Sequence, residues 1–318
     1  MGRTPFRAVS NDCSLRGVFG VDRVGPRCSR RPPIRRPCIM VGTPVGCRGV
    51  SVQNIVCLVS DFGLEDTWVG VCHAVIHAAC PQARIVDLAH QIPPFDIRKG
   101  AAVAASGVFQ LPEAIHLIVV DPGVGGGRRD LCVLTEHGTR LVGPDNGVLL
   151  PAAHRAGGVR EAYSIDPSKI DFKPPLATFH ARDVLAPAAA ALACGVEPSA
   201  LGDPVAADEL VPGPFEACRR EGDTVAAEVV DIDRFGSVRL GIGADQLDRL
   251  GLVGERLEIS IGHNVIEVPF AKTFSDVPMG EPVALVDSSG WVTLSLRQSS
   301  ASERYGVEPG AQTRVRAI

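Results

Sequence analysis

Three short apolar runs, separated by two helix-length stretches, constrain the first half of this chain more than any other feature. They are Ile55-Val56-Cys57-Leu58-Val59-Ser60, Arg84-Ile85-Val86-Asp87-Leu88 and Ile115-His116-Leu117-Ile118-Val119-Val120. The first and third carry almost no polar alternation, so each predicts a strand buried on both faces. Between the first two, Trp68, Val71, Cys72, Val75, Ile76 and Ala79 mark the apolar stripe of a helix, which Glu65, Asp66 or Thr67 could cap. An alanine-rich stretch from Ile97 to Gln110 predicts a second helix. Strand, helix, strand, helix, strand predicts right-handed βαβ units in a mainly parallel sheet. Open sheets of this kind place ligands beyond the carboxyl ends of their strands. Asp61, Asp87 and Asp121 sit at or near those ends, and one polar rim is the expectation.

The rim's most telling part is Asp121-Pro122-Gly123-Val124-Gly125-Gly126-Gly127-Arg128-Arg129. Pro122 stops the ladder, and the glycines allow a tight turn and close backbone approach. Arg128 can fold back on Asp121, either as a structural clasp or to orient a small polar reactant. A phosphate cradle is disfavoured, because the turn has neither a Gly-Lys-Ser/Thr ending nor a Gly-x-Gly-x-x-Gly pattern. Leu131 to Leu134 and Arg140 to Val142 bracket a hairpin turn at His137-Gly138, and Gly143-Pro144-Asp145-Asn146-Gly147 is a second dense turn. Further on, Thr178-Phe179-His180 directly precedes an alanine-rich helix, a suitable place for a catalytic or binding imidazole. His73 and His77 are four apart on the first helix, a spacing that suits a metal. No third ligand is visible in sequence, so they read as surface or packing histidines.

From about Pro212 the texture becomes period-two. Thr224 to Ile232, Val238 to Ile242, Glu255 to Ile261, Val265 to Pro269, Val283 to Val286, Trp291 to Leu296 and Thr313 to Ile318 read as strands, with a tight turn at Ser288-Ser289-Gly290. They predict a small antiparallel barrel or sandwich. The expected layout is an extension over 1–53, an α/β domain over 54–211 and a β-barrel domain over 212–318.

The extension stands apart in composition. It holds ten arginines against Asp12 and Asp22, and four of the chain's ten cysteines. A transit peptide or a basic arm would look like this. The favoured expectation is a disordered extension without catalytic residues, with Met40 as a candidate internal start. A net charge of −4 gives no general case for nucleic acid. No apolar stretch is long enough to span a bilayer. With no Cys-x-x-Cys spacing, and with Cys57, Cys72, Cys132 and Cys194 in apolar segments, reduced core cysteines in a cytoplasmic protein are expected.

Six motifs in order resemble one family. They are Ser60-Asp61-Phe62-Gly63, Val86-Asp87-Leu88-Ala89-His90, Asp121-Pro122-Gly123-Val124-Gly125, Pro144-Asp145-Asn146-Gly147, Thr178-Phe179-His180-Ala181-Arg182-Asp183 and Asp233-Arg234-Phe235-Gly236. Together they are similar to the S-adenosylmethionine hydrolase (hydroxide adenosyltransferase) family, related to the fluorinase and chlorinase, over about Ile55 to Ile318. The resemblance implies an N-terminal α/β domain, a C-terminal β-barrel and a homotrimer whose sites lie between subunits. It implies S-adenosylmethionine as substrate, with no separate cofactor and no metal. The family's water-positioning set falls on Asp121, Arg128 and His180, and its ribose-binding acid on Asp61. Phe95 and Asp96 fall in the loop over the sugar, and Asn146, Thr178 and Phe179 fall in motifs that bound the site. Asp233, Phe235, Ser237, Ser288, Ser289, Arg297 and Ala301 fall where a neighbouring subunit touches methionine and adenine.

The chemistry suits these residue types. A sulfonium makes methionine a good leaving group, so catalysis reduces to holding water in line with ribose C5′ and removing its proton. Vicinal ribose hydroxyls suit a carboxylate that can accept from both. Three departures fall on the substrate contacts: Ser237 in place of an asparagine, Arg297-Gln298 in place of Asn-Gly, and Ser289 where no cation faces the methionine carboxylate, a role Arg297 could take. Halide transfer is the alternative within the fold, but halide-using relatives carry Tyr-Ser or Tyr-Gly where this chain has His180-Ala181. A non-catalytic binding protein for S-adenosylmethionine or adenosine is the alternative from another class.

Overall fold

The computed structural model describes residues 54–170 and 176–318, so the extension and Lys173-Pro174-Pro175 lie outside the described residues. The first apolar run forms β1 (Ile55–Ser60), followed by α1 (Trp68–Ala79) and β2 (Arg84–Ala89). Then come α2 (Ile97–Gln110), whose N-terminus Asp96 caps, and β3 (Ile115–Val119). Both β2 and β3 pair with β1 in parallel, as the alternating pattern requires. The hairpin β4 (Asp130–Thr135) and β5 (Arg140–Pro144) follows, then α3 (Leu150–Arg155), β6 (Val159–Ile165), α4 (Ala186–Ala193) and β7 (Gly202–Val205).

The sheet runs β2-β1-β3-β5-β4-β6-β7. Its first four strands are mutually parallel, and β5, β4, β6 and β7 pair antiparallel. The sheet is therefore mixed, with β2, β1, β3, β5 and β6 running one way and β4 and β7 the other. The sequence reading lacked β6 and β7 for physical reasons. In Val159–Ile165 the charged pair Arg160-Glu161 breaks the alternation, and β7 is a four-residue edge strand that contains Pro204.

Period-two geometry explains why β1 and β3 are apolar throughout. Leu58 and Leu117 pack on one face with Cys72, Ile76, Leu185 and Leu192 from α1 and the α4 region. Val59, Ile118 and Val120 pack on the other with Ala101, Ala104 and Val108 of α2 and Ala152 of α3. At Gly100 an added Cβ would stand 2.7 Å from Val120 Cγ2, so α2 rides close against the strand.

The second half forms β8 (Arg219–Glu221), β9 (Thr224–Ile232), β10 (Val238–Gly243), α5 (Leu247–Leu250), β11 (Arg256–Ile261), β12 (Asn264–Pro269), β13 (Pro282–Val286), β14 (Trp291–Leu296), α6 (Ala301–Tyr305) and β15 (Gln312–Ala317). All pair antiparallel in the order β12-β11-β15-β9-β10-β14-β13, with β8 on β9. A bridge between Phe270 and Ala284 joins the two ends, so the sheet is a nearly closed barrel. Closure removes the sheet edges and buries one alternating set, including Val229, Leu240, Ile259, Leu294 and Val315.

Sheet and barrel share one junction built on α2. Ala105, Val230 and Trp291 pack together, Lys99 Nζ donates to Asp231 Oδ1 at 2.6 Å, and Trp291 Nε1 donates to Ser106 Oγ at 3.3 Å. The Arg155 guanidinium lies 4.4 Å from the Trp291 ring centre and donates to the Ser289 carbonyl at 2.9 Å. Trp291 is 5% exposed. Trp291→Ala should lower stability by about 3–5 kcal/mol, the usual cost of emptying a buried aromatic site. Denaturant unfolding checks this, and a loss below 1 kcal/mol would mean the junction holds without it.

Cys57, Cys72 and Cys132 are buried as expected, and burial pushes their thiols up, to about 11, 12 and 12. Cys194 is a correction. It is exposed at the end of α4, where Gln82 Nε2 donates to its sulfur at 3.1 Å. Among the described residues no helix is long and apolar enough to cross a membrane.

Candidate active site

Because β1 and β3 are neighbours, the acids that follow them emerge side by side. The Asp61 N–H donates to the Val119 carbonyl at 3.3 Å, and both Asp61 and Asp121 line a cavity of about 860 Å³. That size is ordinary for a small-molecule site. The third acid does not join them. Asp87 stands opposite Leu58 within β2 instead of beyond its end, so of these three acids only Asp61 and Asp121 meet at the rim.

Asp121 is gripped from behind. Arg128 Nε donates to its Oδ1 at 2.8 Å, and Arg128 Nη2 donates to Oδ2. The remaining guanidinium nitrogen, Nη1, donates to Asp130 Oδ1, and Asp130 Oδ2 lies 2.8 Å from His180 Nδ1. Burial works against charge on Arg128, but Asp121 and Asp130 outweigh it and raise its pKa. A carboxylate only accepts, so the pairing with Asp130 puts a proton on Nδ1, and in the neutral imidazole Nε2 of His180 is then an acceptor. Asp121 and His180 line the cavity, while Arg128 stands outside its lining.

Local backbone places these groups. His180 precedes a π-helical turn, Ala181–Leu185, that leads into α4, and such widened turns re-aim side chains at functional sites. Asp183 accepts from the Leu176 N–H at 2.9 Å and so anchors the loop that carries Thr178 and Phe179, both in the cavity wall. The glycine turn presses on that loop. At Gly125, with φ +76°, a Cβ would stand 2.2 Å from the Ala177 carbonyl oxygen.

On the other side, Asp61 Oδ2 accepts from the Phe95 N–H at 2.9 Å. Phe95 is 71% exposed and held at φ +70°, a conformation costly for a bulky residue. Asp61 therefore ties down the rim of the cavity as well as facing into it. Phe62, Trp68 and Phe179 add an aromatic wall, with Phe62 edge-to-face on each of the others at 5.9 Å.

The remaining candidates are placed elsewhere. The Asp96 carboxylate caps α2 by accepting from the Lys99 N–H at 2.9 Å, and it does not line the cavity. Asn146 donates to the Val120 carbonyl at 2.8 Å and accepts from the Val148 N–H, so it braces the backbone leading into Asp121. No barrel residue lines the cavity of its own chain among the described residues. Asp233 Oδ1 accepts from the Phe235 and Ser237 N–H groups, which leaves Ser237 buried and projects Phe235, 80% exposed. The Ser302 N–H donates to the Gly236 carbonyl, which joins this turn to the segment holding Arg297 and the buried Ala301. Arg297 Nη1 donates to the Val277 carbonyl at 2.8 Å. Ser288 and Ser289 lie at the opposite end of β14, and Ser289 is buried at the α2 junction.

The sequence reading missed Asp130. A single acid at the first position of an apolar strand has no pattern of its own. The available signal was a second carboxylate two residues after Arg128.

A nearly closed barrel joined to a layered α/β sheet, with a cavity at the strand ends, defines a two-part enzyme scaffold for a small ligand. The SAM hydroxide adenosyltransferase N-terminal domain matches residues 56–202, and the corresponding C-terminal domain matches residues 227–314. The chain belongs to the SAM hydroxide adenosyltransferase family. It is 41% identical over 260 residues to the (R)-S-adenosyl-L-methionine hydrolase of Salinispora tropica, covering 81% of this chain and 96% of that protein. It is 27% identical to a fluorinase of Nocardia brasiliensis, covering 83% and 97%. The crystal structure of an uncharacterized conserved protein from Thermotoga maritima superposes with a TM-score of 0.74 at 32% identity, covering 82% and 99%.

Proposed function

We propose that the protein hydrolyses S-adenosyl-L-methionine to adenosine and L-methionine, with water as the nucleophile. The observation that carries this reading is the pairing of two acceptors, the Asp121 carboxylate and His180 Nε2, on one cavity wall. Both suit a water molecule, which donates two hydrogen bonds. Neither suits a halide, which needs donors, and the Arg128 N–H groups that could supply them are engaged by Asp121 and Asp130. Similarity to proteins named (R)-S-adenosyl-L-methionine hydrolase, at 41%, 40% and 38% identity, supports the same substrate.

In the reaction, water held by Asp121 and His180 forms the C5′–O bond as the C5′–S bond breaks. Methionine departs with the bonding pair as a neutral thioether, and the water's proton passes to His180. Asp61 accepts from the ribose hydroxyls, while Phe95 and Phe179 cover the sugar. The exposed barrel turn at Asp233–Ser237, with Arg297, completes the site from a second copy, and the working unit is the homotrimer that the family resemblance implies. Unbridged cysteines throughout the described residues suit a cytoplasmic setting.

The test is to incubate purified protein with S-adenosyl-L-methionine and resolve the products chromatographically. Adenosine and methionine should form in equal amounts without added halide, from a particle of trimer mass by light scattering. Absence of adenosine would leave a binding protein, a halide requirement would restore the transferase reading, and an active monomer would remove the barrel residues from the site.

A further inference from the structure

His73 is the one histidine of the α1 pair that the proposed reaction leaves without a role but the fold does not leave alone. Across from it, β2 presents Asp87, and the chain just beyond β2 presents His90. His73 Nε2 lies 2.9 Å from Asp87 Oδ1, and His90 Nε2 lies 2.9 Å from the same oxygen. One ligating atom from each of the three residues falls within 4.8 Å of the others. His77, on which the sequence spacing rested, is not in this group.

The His90 contact is not a hydrogen bond. Its Nε2 is buried and has no hydrogen-bond partner among the described residues, although Asp87 Oδ1 stands beside it. The ring nitrogen is thus misaligned for a hydrogen bond to a carboxylate oxygen that stands only 2.9 Å away. Its other nitrogen, Nδ1, is 2.7 Å from the buried Ser60 hydroxyl. A metal-bound histidine characteristically donates its remaining N–H to such an oxygen, which fixes the ring and frees the opposite lone pair. A buried, unpaired nitrogen is otherwise costly.

We propose that His73, Asp87 and His90 form a binding site for a divalent transition metal, with zinc the best match. Two imidazoles and one carboxylate, with an open position for water, suit zinc, cobalt or nickel far better than magnesium or calcium, which prefer oxygen ligands throughout. The side chains of His73 and Asp87 are 28% and 42% exposed, so an ion enters from solvent while His90 forms the buried floor. The ion fastens α1 to β2. It also fixes the start of the segment 89–95, since His90 and Gln91 line the substrate cavity and the His90 carbonyl accepts from the Gly63 N–H at 2.7 Å. Its role is to stabilise this wall of the cavity rather than to act on the reacting atoms, which lie by Asp121 and His180.

The probe is cobalt(II), titrated into the metal-free full-length chain and followed by visible absorption, with zinc added afterwards in competition. The expected result is one cobalt per chain with the bands of nitrogen and oxygen ligation, no thiolate charge-transfer band, and displacement by zinc. His73→Gln and Asp87→Asn should each weaken binding at least tenfold, the scale on which even an outer-shell partner registers. His77→Ala should bind as the parent does. Metal should raise the parent's thermal midpoint and leave that of His73→Gln unmoved. Equal affinity in the parent and His73→Gln, a thiolate band that carries the binding, or no saturable binding would each overturn the proposal.

Discussion

Replacing His180 by alanine is expected to slow single-turnover formation of adenosine by about 10²–10⁴, the usual worth of a positioned acid–base group. Asp121→Ala should fall in the same range, while affinity for S-adenosyl-L-methionine stays within a few-fold in both. The argument is differential binding. Both groups face the place of the attacking water, so their loss raises the barrier without removing contacts to the bound nucleoside. Asp61→Ala should do the opposite and weaken affinity most, because ribose contacts form before chemistry begins. It should also loosen Phe95, whose N–H the Asp61 carboxylate holds. Equilibrium binding and single-turnover rates on the three variants separate these outcomes. Parent-like rates in both His180→Ala and Asp121→Ala would reduce the Asp121–Arg128 pairing to a structural clasp.

The parts of the fold legible in the sequence were those where one physical demand dominates a segment. Strands β1 and β3 are buried on both faces and so read as unbroken apolar runs. The barrel strands alternate in sequence because one set of side chains fills the barrel core, even where the other face is covered too, as along Trp291–Leu296, and Thr224–Ile232 and Trp291–Leu296 have the bounds that alternation gives. Strands β6 and β7 escaped because a charged pair and a proline interrupt them. Asn146 was legible as a member of a motif and Asp96 as part of the loop over the sugar, but neither as to role, since a turn brace and a helix cap use the same residue types as a binding site. Asp87 shows the limit most clearly. An acid near the end of an apolar run reads as a strand end, but pairing register with Leu58 places it mid-strand, facing His73. Register is a property of two segments, and a single run of sequence does not carry it. The same holds for Asp130, whose importance exists only once Arg128 and His180 are beside it.

Asp130→Asn should reduce turnover nearly as far as His180→Ala, although Asp130 is absent from the cavity lining. The substitution keeps shape and removes charge. As a carboxylate, Asp130 accepts from His180 Nδ1 through one oxygen and from Arg128 Nη1 through the other. An asparagine oxygen can serve only one of them well. If Arg128 takes it, the amide N–H₂ faces His180 Nδ1 and selects the tautomer with its proton on Nε2, which cannot accept a proton from water. In a serine protease triad the equivalent change costs about 10⁴ in rate, and a loss of about 10²–10⁴ is expected here. Asp130 acts through His180, so the double variant Asp130→Asn/His180→Ala should be little slower than His180→Ala alone. A merely structural acid would behave differently, because its loss would weaken ligand affinity and add to the effect of His180→Ala. Single-turnover rates and equilibrium affinities for the parent, both single variants and the double variant decide between the two. Multiplied rate losses in the double variant would show that Asp130 does not work by holding the imidazole.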